Sequence, residues 1–173
     1  MRYTIPLLVL ASFSFAEPLS LGLGLGILNP VSSPSYKEQS KAFVNPSILL
    51  GIQFAEFSAL TFEFDFTAPN GGVGGWVGLE QQFIERQITP FAEAQVGARN
   101  PGREKRGYNF NETFGFAYSL NGGVIFFRES QFRIRLKGGY EMIVNNDYDQ
   151  SWNAEVGVLF AIGKAGLETI NVN

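Results

Sequence analysis

The chain has 173 residues, 45% of them hydrophobic, and a formal net charge of −3. That suffices for one ordinary domain or a membrane-facing coat, and the slightly acidic balance argues against a nucleic-acid partner. With no histidine and no cysteine, Ser-His-Asp and Cys-His catalysis, His-ligated metals, thiolate zinc sites and disulfides drop out, and no cofactor is expected.

Residues 1–16 read as a cleaved signal peptide. Arg2 supplies the positive start, Ile5 to Phe15 the short apolar stretch, and Ser14, Phe15 and Ala16 the approach to cleavage before Glu17. No later segment approaches 18 consecutive apolar residues, so no transmembrane helix is expected. Any membrane crossing must be made by strands.

From Leu19 to Ile27 the chain alternates strictly. Leu19, Leu21, Leu23, Leu25 and Ile27 share one face, and Ser20, Gly22, Gly24 and Gly26 the other. No Gly-Lys-Ser/Thr follows, so these glycines do not form a phosphate loop. Asn29 to Asn45 is predicted to be a loop. The second strand is predicted over Pro46 to Phe54, with Ser47, Leu49, Gly51 and Gln53 opposite its apolar face. Ala55 to Phe57 is a short turn. The third strand, Ser58 to Thr67, sets Leu60, Phe62, Phe64 and Phe66 against Thr61, Glu63 and Asp65. Ala68 to Gly72 is a turn signal.

The fourth strand, Val73 to Ile84, carries Gly78, Glu80 and Gln82 on its polar face. The fifth, Ile88 to Arg99, carries Thr89, Phe91, Glu93, Gln95, Gly97 and Arg99. A longer loop follows, with Arg103, Lys105 and Arg106. The sixth strand, Asn111 to Phe127, places Gly115, Ala117, Ser119, Asn121 and Gly123 opposite its aromatics. The seventh, Gln131 to Val144, sets Arg133, Arg135, Lys137 and Glu141 against Phe132, Ile134, Leu136, Tyr140 and Met142. The eighth, Ser151 to Gly163, sets Asn153, Glu155, Gly157, Leu159 and Ala161 against Trp152, Ala154, Val156, Val158, Phe160 and Ile162.

Strands of this length cross a bilayer when tilted, and only a closed ring satisfies their backbone groups there. The expected fold is therefore all-β, an eight-stranded antiparallel up-and-down transmembrane barrel. It would cover 17–163, with 164–173 as a short periplasmic tail. Short connections after strands two, four and six, and longer ones after one, three and five, match an outer-membrane barrel.

A soluble, lipocalin-like barrel has the same strand count with the apolar face inside. The Phe and Leu here are too many for a narrow eight-stranded interior, while Gly is costly on an exposed strand surface. The polar face also balances its charges. Glu63, Asp65, Glu80, Glu93, Glu141 and Glu155 stand against Arg99, Arg133, Arg135 and Lys137, an expected lumen ion-pair network. Strands three and seven lie across the ring, so Glu63 and Asp65 are expected to face Arg133, Arg135 and Lys137. Two aromatic girdles are expected: Phe54, Phe57, Phe83, Phe126 and Phe132 by the short turns, and Phe66, Trp76, Tyr108, Tyr148 and Trp152 by the long loops.

On these features the chain resembles the small outer-membrane β-barrel family of the OmpA-like transmembrane type. Ile88 to Gly97 looks like the family's Thr-Pro-aromatic strand ending in Gly. Glu155, Gly157, Phe160 and Ile162 match the final-strand signal that the family presents to the barrel assembly machinery. The resemblance implies a monomeric barrel in the bacterial outer membrane, in contact with lipid and lipopolysaccharide. Arg103, Lys105 and Arg106 would sit where lipopolysaccharide phosphates lie.

The function expected is non-enzymatic: a structural or surface-interaction protein with a lumen filled by ion pairs. A narrow channel or carrier for small solutes is the alternative, and a soluble lipocalin-like binder ranks below it. A lipid-acting enzyme lacks a base beside any serine.

Overall fold

The computed structural model describes residues 19–32, 42–68, 71–100, 114–145 and 148–162. These hold eight strands: β1 (Leu19–Ser32), β2 (Phe43–Ala55), β3 (Ser58–Thr67), β4 (Gly72–Gln82), β5 (Ile88–Asn100), β6 (Gly115–Phe126), β7 (Phe132–Val144) and β8 (Asp149–Ile162). Each pairs antiparallel with the next, and β1 pairs with β8, so the sheet closes into a barrel with no edge. Closure follows from the strands themselves. Each offers backbone donors and acceptors on both sides, and only a ring leaves no row unpaired. Residues 1–16 and 164–173 lie outside the described residues.

The first hairpin is longer than expected. Asn29 and Pro30 continue β1 by pairing with Trp152 and Ser151 of β8, and Phe43, Val44 and Asn45 extend β2 against Leu28, Ile27 and Gly26. Polar composition misled there because a wall residue needs only one apolar neighbour in two, and Asn45 points inward. β4 ends at Gln82, short of the expected Ile84. Connection lengths alternate less cleanly than the sequence suggests. The link over 68–71 is no longer than the turns over 83–87 and 127–131, because β3 and β4 pair to their ends at Thr67 and Gly72.

Pro46 interrupts the β2–β3 ladder. Continuous pairing stops at Ser47 with Asp65 and resumes as a bridge between Val44 and Ala68. The register is preserved across the gap, because proline removes one donor without adding a residue.

The barrel is inside out relative to a soluble domain. Buried side chains are mostly polar or charged, whereas the exposed ones include a continuous apolar coat, with Leu23 and Leu120 each 67% exposed. Lumen-facing glycines let the wall close. A Cβ on Gly97 would lie 2.1 Å from the Gly75 carbonyl oxygen and 3.0 Å from the Trp76 Cα, whereas one on outward Gly75 would meet nothing within 4 Å. Gly97→Val is therefore expected to destabilise the barrel by roughly 1–3 kcal/mol through overpacking, and Gly75→Val to leave it nearly unchanged. Urea midpoints, read from the gel shift between unheated and heated samples, check this; equal midpoints would contradict the packing argument.

Candidate functional site in the lumen

Period-two alternation brings charged residues from five strands into one lumen. In the middle lies a layer around two cations on β7. Lys137 Nζ donates to Glu63 Oε2 at 2.5 Å. Arg135 reaches across to β4 and β5, with Nη2 at 3.1 Å from Glu80 Oε2 and 2.8 Å from Glu93 Oε2. Its guanidinium also lies over the Phe91 ring, 4.5 Å from the centroid. Glu155 sits between the two cations, 3.5 Å from Lys137 and 3.8 Å from Arg135. Neutral donors complete the layer. Ser47 Oγ donates to Glu155 at 2.8 Å, Thr61 Oγ1 to Glu93 at 2.7 Å, and Gln95 Nε2 to Glu63 at 3.0 Å. Buried carboxylates so satisfied are tolerable where bare ones are not.

A second cluster lies nearer the long connections. Arg99 Nη1 pairs with Asp65 at 3.0 Å and with Glu141 at 3.2 Å, while Nη2 donates to Thr67 Oγ1 and Asn45 Oδ1. Trp76 Nε1 donates to Asp65 Oδ2 at 2.6 Å. Two expectations are corrected here. Asp65 does not face the β7 cations. It shares a cross-strand row with Gly74 and Arg99, and the side-chain-free Gly74 leaves the row open for the pair. Trp76 is not a girdle residue. It is 5% exposed and packs in the lumen with Ala117 and Ile143.

Other girdle aromatics do point out. Phe54, Phe83, Phe132, Phe66, Tyr148 and Trp152 are exposed; Phe57 and Phe126 are half-buried. Tyr108 lies outside the described residues, as do Arg103, Lys105 and Arg106. Arg133, expected in the network, turns inward but pairs with no carboxylate among the described residues; its Nε donates to the Ser130 carbonyl at 3.2 Å.

One inward cation escaped sequence reading. Arg128 follows β6 in the turn over 127–131, where alternation has ended. Phe127 adopts a left-handed φ of 59°. That sends Phe127 outward and Arg128 inward. Arg128 donates to Gln82 Oε1 at 2.6 Å and to the Glu56 carbonyl at 2.5 Å, spanning from the β6–β7 turn to the β2–β3 turn.

No protein-family model matches the sequence, and no curated protein matches it. Among solved structures the chain is similar to the N-terminal β-barrel domain of Pseudomonas aeruginosa OprF, with a TM-score of 0.56 at 12% identity over 83% of this chain and 97% of that one. It is also similar to Neisserial surface protein A, with a TM-score of 0.58 at 12% identity over 84% and 96% of the two chains. The chain has the fold of the small eight-stranded outer-membrane β-barrels.

Within this eight-stranded barrel the ion pairs obstruct the lumen. Two cavities flank the middle layer, about 40 Å³ on the short-turn side and about 10 Å³ on the other. Removing Arg135 strips Glu80 and Glu93 of their cation. Arg135→Ala is expected to cost roughly 3–5 kcal/mol, as breaking buried pairs does, and adding Glu93→Gln to recover part of it. Arg103→Ala, in the segment the sequence reads as a polar loop, should stay within about 0.5 kcal/mol of the parent. Denaturant midpoints measure all three; equal values for Arg135→Ala and Arg103→Ala would sink the assignment.

Proposed function

We propose that the chain is a non-enzymatic outer-membrane protein of a Gram-negative-type bacterium, a monomeric barrel that spans the bilayer and presents its long connections at the surface. The observation that carries this reading is the inverted distribution of polarity. The apolar coat faces out, and the charge network is sealed inside. A lipocalin-like binder needs the reverse. The likeness to OprF and to Neisserial surface protein A supports the fold on which the reading rests.

The reading includes residues 1–16 as a cleaved signal, 17–163 as the barrel and 164–173 as a periplasmic tail. It includes recognition of β8 by the barrel assembly machinery. Phe160 and Ile162 face outward on that strand, and Glu155 and Gly157 inward. Arg103, Lys105 and Arg106 would contact lipopolysaccharide phosphates.

The two tryptophans test membrane burial, since Trp152 is 55% exposed on the outer wall and Trp76 is enclosed. In vesicles of brominated-chain lipid, emission of the Trp76→Phe variant, which reports Trp152, is expected to be strongly quenched. Emission of Trp152→Phe should persist. Equal persistence in both would return the soluble barrel to the front.

A narrow channel is the second reading, favoured by one feature. Glu155 lies within reach of both Arg135 and Lys137 but beyond hydrogen-bonding geometry to either, so partners can exchange. Planar-bilayer recording decides between the two. The sealed barrel is expected to be silent, and discrete steps altered by Arg135→Ala would establish conduction through the ion-pair layer.

A further inference from the structure

The smaller lumen cavity, of about 10 Å³ on the long-connection side, is unbalanced in charge. Four carboxylates line it, those of Glu63, Asp65, Glu141 and Glu155, against two cations, Arg99 and Lys137. Lys137 is taken by Glu63 at 2.5 Å, while Glu155 stands 3.5 Å away. Arg99 Nη1 is divided between Asp65 and Glu141. Arg135 lies 3.8 Å from Glu155, but it already meets Glu80 and Glu93. The lining therefore carries two more negative charges than positive ones.

Hydrogen-bond donors are short at the same place. Asp65 Oδ1, Glu141 Oε1, Asn153 Oδ1 and Glu155 Oε1 are buried without a hydrogen-bond partner among the described residues, and all four residues line this cavity. Asp65 is 1% exposed, Glu141 3% and Glu155 7%. The second oxygen of each acid is engaged. Asp65 Oδ2 accepts from Arg99 and Trp76, Glu141 Oε2 from Arg99, and Glu155 Oε2 from Ser47. Buried acceptors left in this way are costly unless a donor reaches them.

The volume takes one sphere of about water size. A water molecule would bring two donors and no charge. A bare metal ion needs its oxygen ligands drawn in close around it, and no three acids among the described residues are grouped to hold one.

We propose that this cavity is a binding site for an ammonium ion. Like the head of a lysine side chain, ammonium carries donors and no acceptor, and it is close to water in size. It supplies both of the things the lining lacks, hydrogen-bond donors for the bare oxygens and positive charge for the surplus acid. The volume excludes fully alkylated ammonium ions. The site stands whether or not the barrel conducts.

The test uses the full mature chain carrying Trp152→Phe, refolded in detergent micelles at fixed pH and at each concentration of ammonium chloride. Tetramethylammonium chloride holds the ionic strength constant. Trp76, which lines the cavity and donates to Asp65, is the reporter, through its Nε1–H resonance. A saturable, single-site shift with ammonium is expected, and sodium chloride, whose ion donates no hydrogen bond, should fall well short of it. Glu141→Gln removes one charge while keeping an acceptor for Arg99, and should weaken saturation about tenfold. A shift that never saturates, that sodium matches at equal concentration, or that Glu141→Gln leaves unchanged would overturn the site. If Glu141→Gln fails to fold, Glu155→Gln takes its place with the same expectation, and the contrast between the salts on the parent chain still decides it.

Discussion

Everything in this molecule depends on the pairing of β1 with β8. Without it the sheet has two open edges, and the backbone groups along Leu19 to Ser32 and Asp149 to Ile162 lose their partners. In hydrocarbon such groups have no water to turn to. Closure fixes the number of strands around the ring, and the ring fixes how much side chain fits inside. The alternation of small and large residues along each strand then follows. Most of the Leu, Val and Phe stand outside where volume is free, and most of the Gly and Ser and the charged strand residues stand inside where it is scarce.

A narrow ring brings most of its charges within reach of a partner. Each long side chain on one wall ends near the opposite wall, so Arg135 on β7 finds Glu80 and Glu93 on β4 and β5. The lumen is thereby filled by polar contacts where a soluble domain uses hydrocarbon packing. Such a network contributes little net stability when complete, because desolvation offsets much of the attraction. It is costly to break and it specifies register, since a strand slipped by one residue would turn its acids onto the apolar outer wall. Specificity more than raw stability is its contribution here.

Most of this plan was legible in the sequence. The faces of all eight strands could be read by parity, and the lumen charges with them, because period two is a strong signal over a dozen residues. What failed was geometry in the third dimension. Asp65 was assigned to the wrong partners because strand order alone does not give height along the axis; the cross-strand row through Gly74 does. Trp76 shares parity with Gly78, Glu80 and Gln82, so alternation marks it as inward; its position near a loop end outweighed that sign. Arg128 carried no periodic signal, for its direction is set by the backbone twist at Phe127. The ends of β1 and β2 were missed because Asn29, Pro30 and Asn45 look like loop residues when read singly.

The interruption at Pro46 links the interior to the integrity of the wall. Between Ser47 and Val44 the β2–β3 ladder lacks its full set of backbone bonds. At that level Thr67 Oγ1 donates to Asn45 Oδ1 at 3.3 Å across the same two strands, and Arg99 Nη2 binds both side chains. The side chains inside stitch the seam that proline leaves open. Arg99 is thus more than filling. It acts as a suture whose knot is tied to Asp65 and Glu141, so the soundness of the wall at this gap is borne by the contents of the barrel.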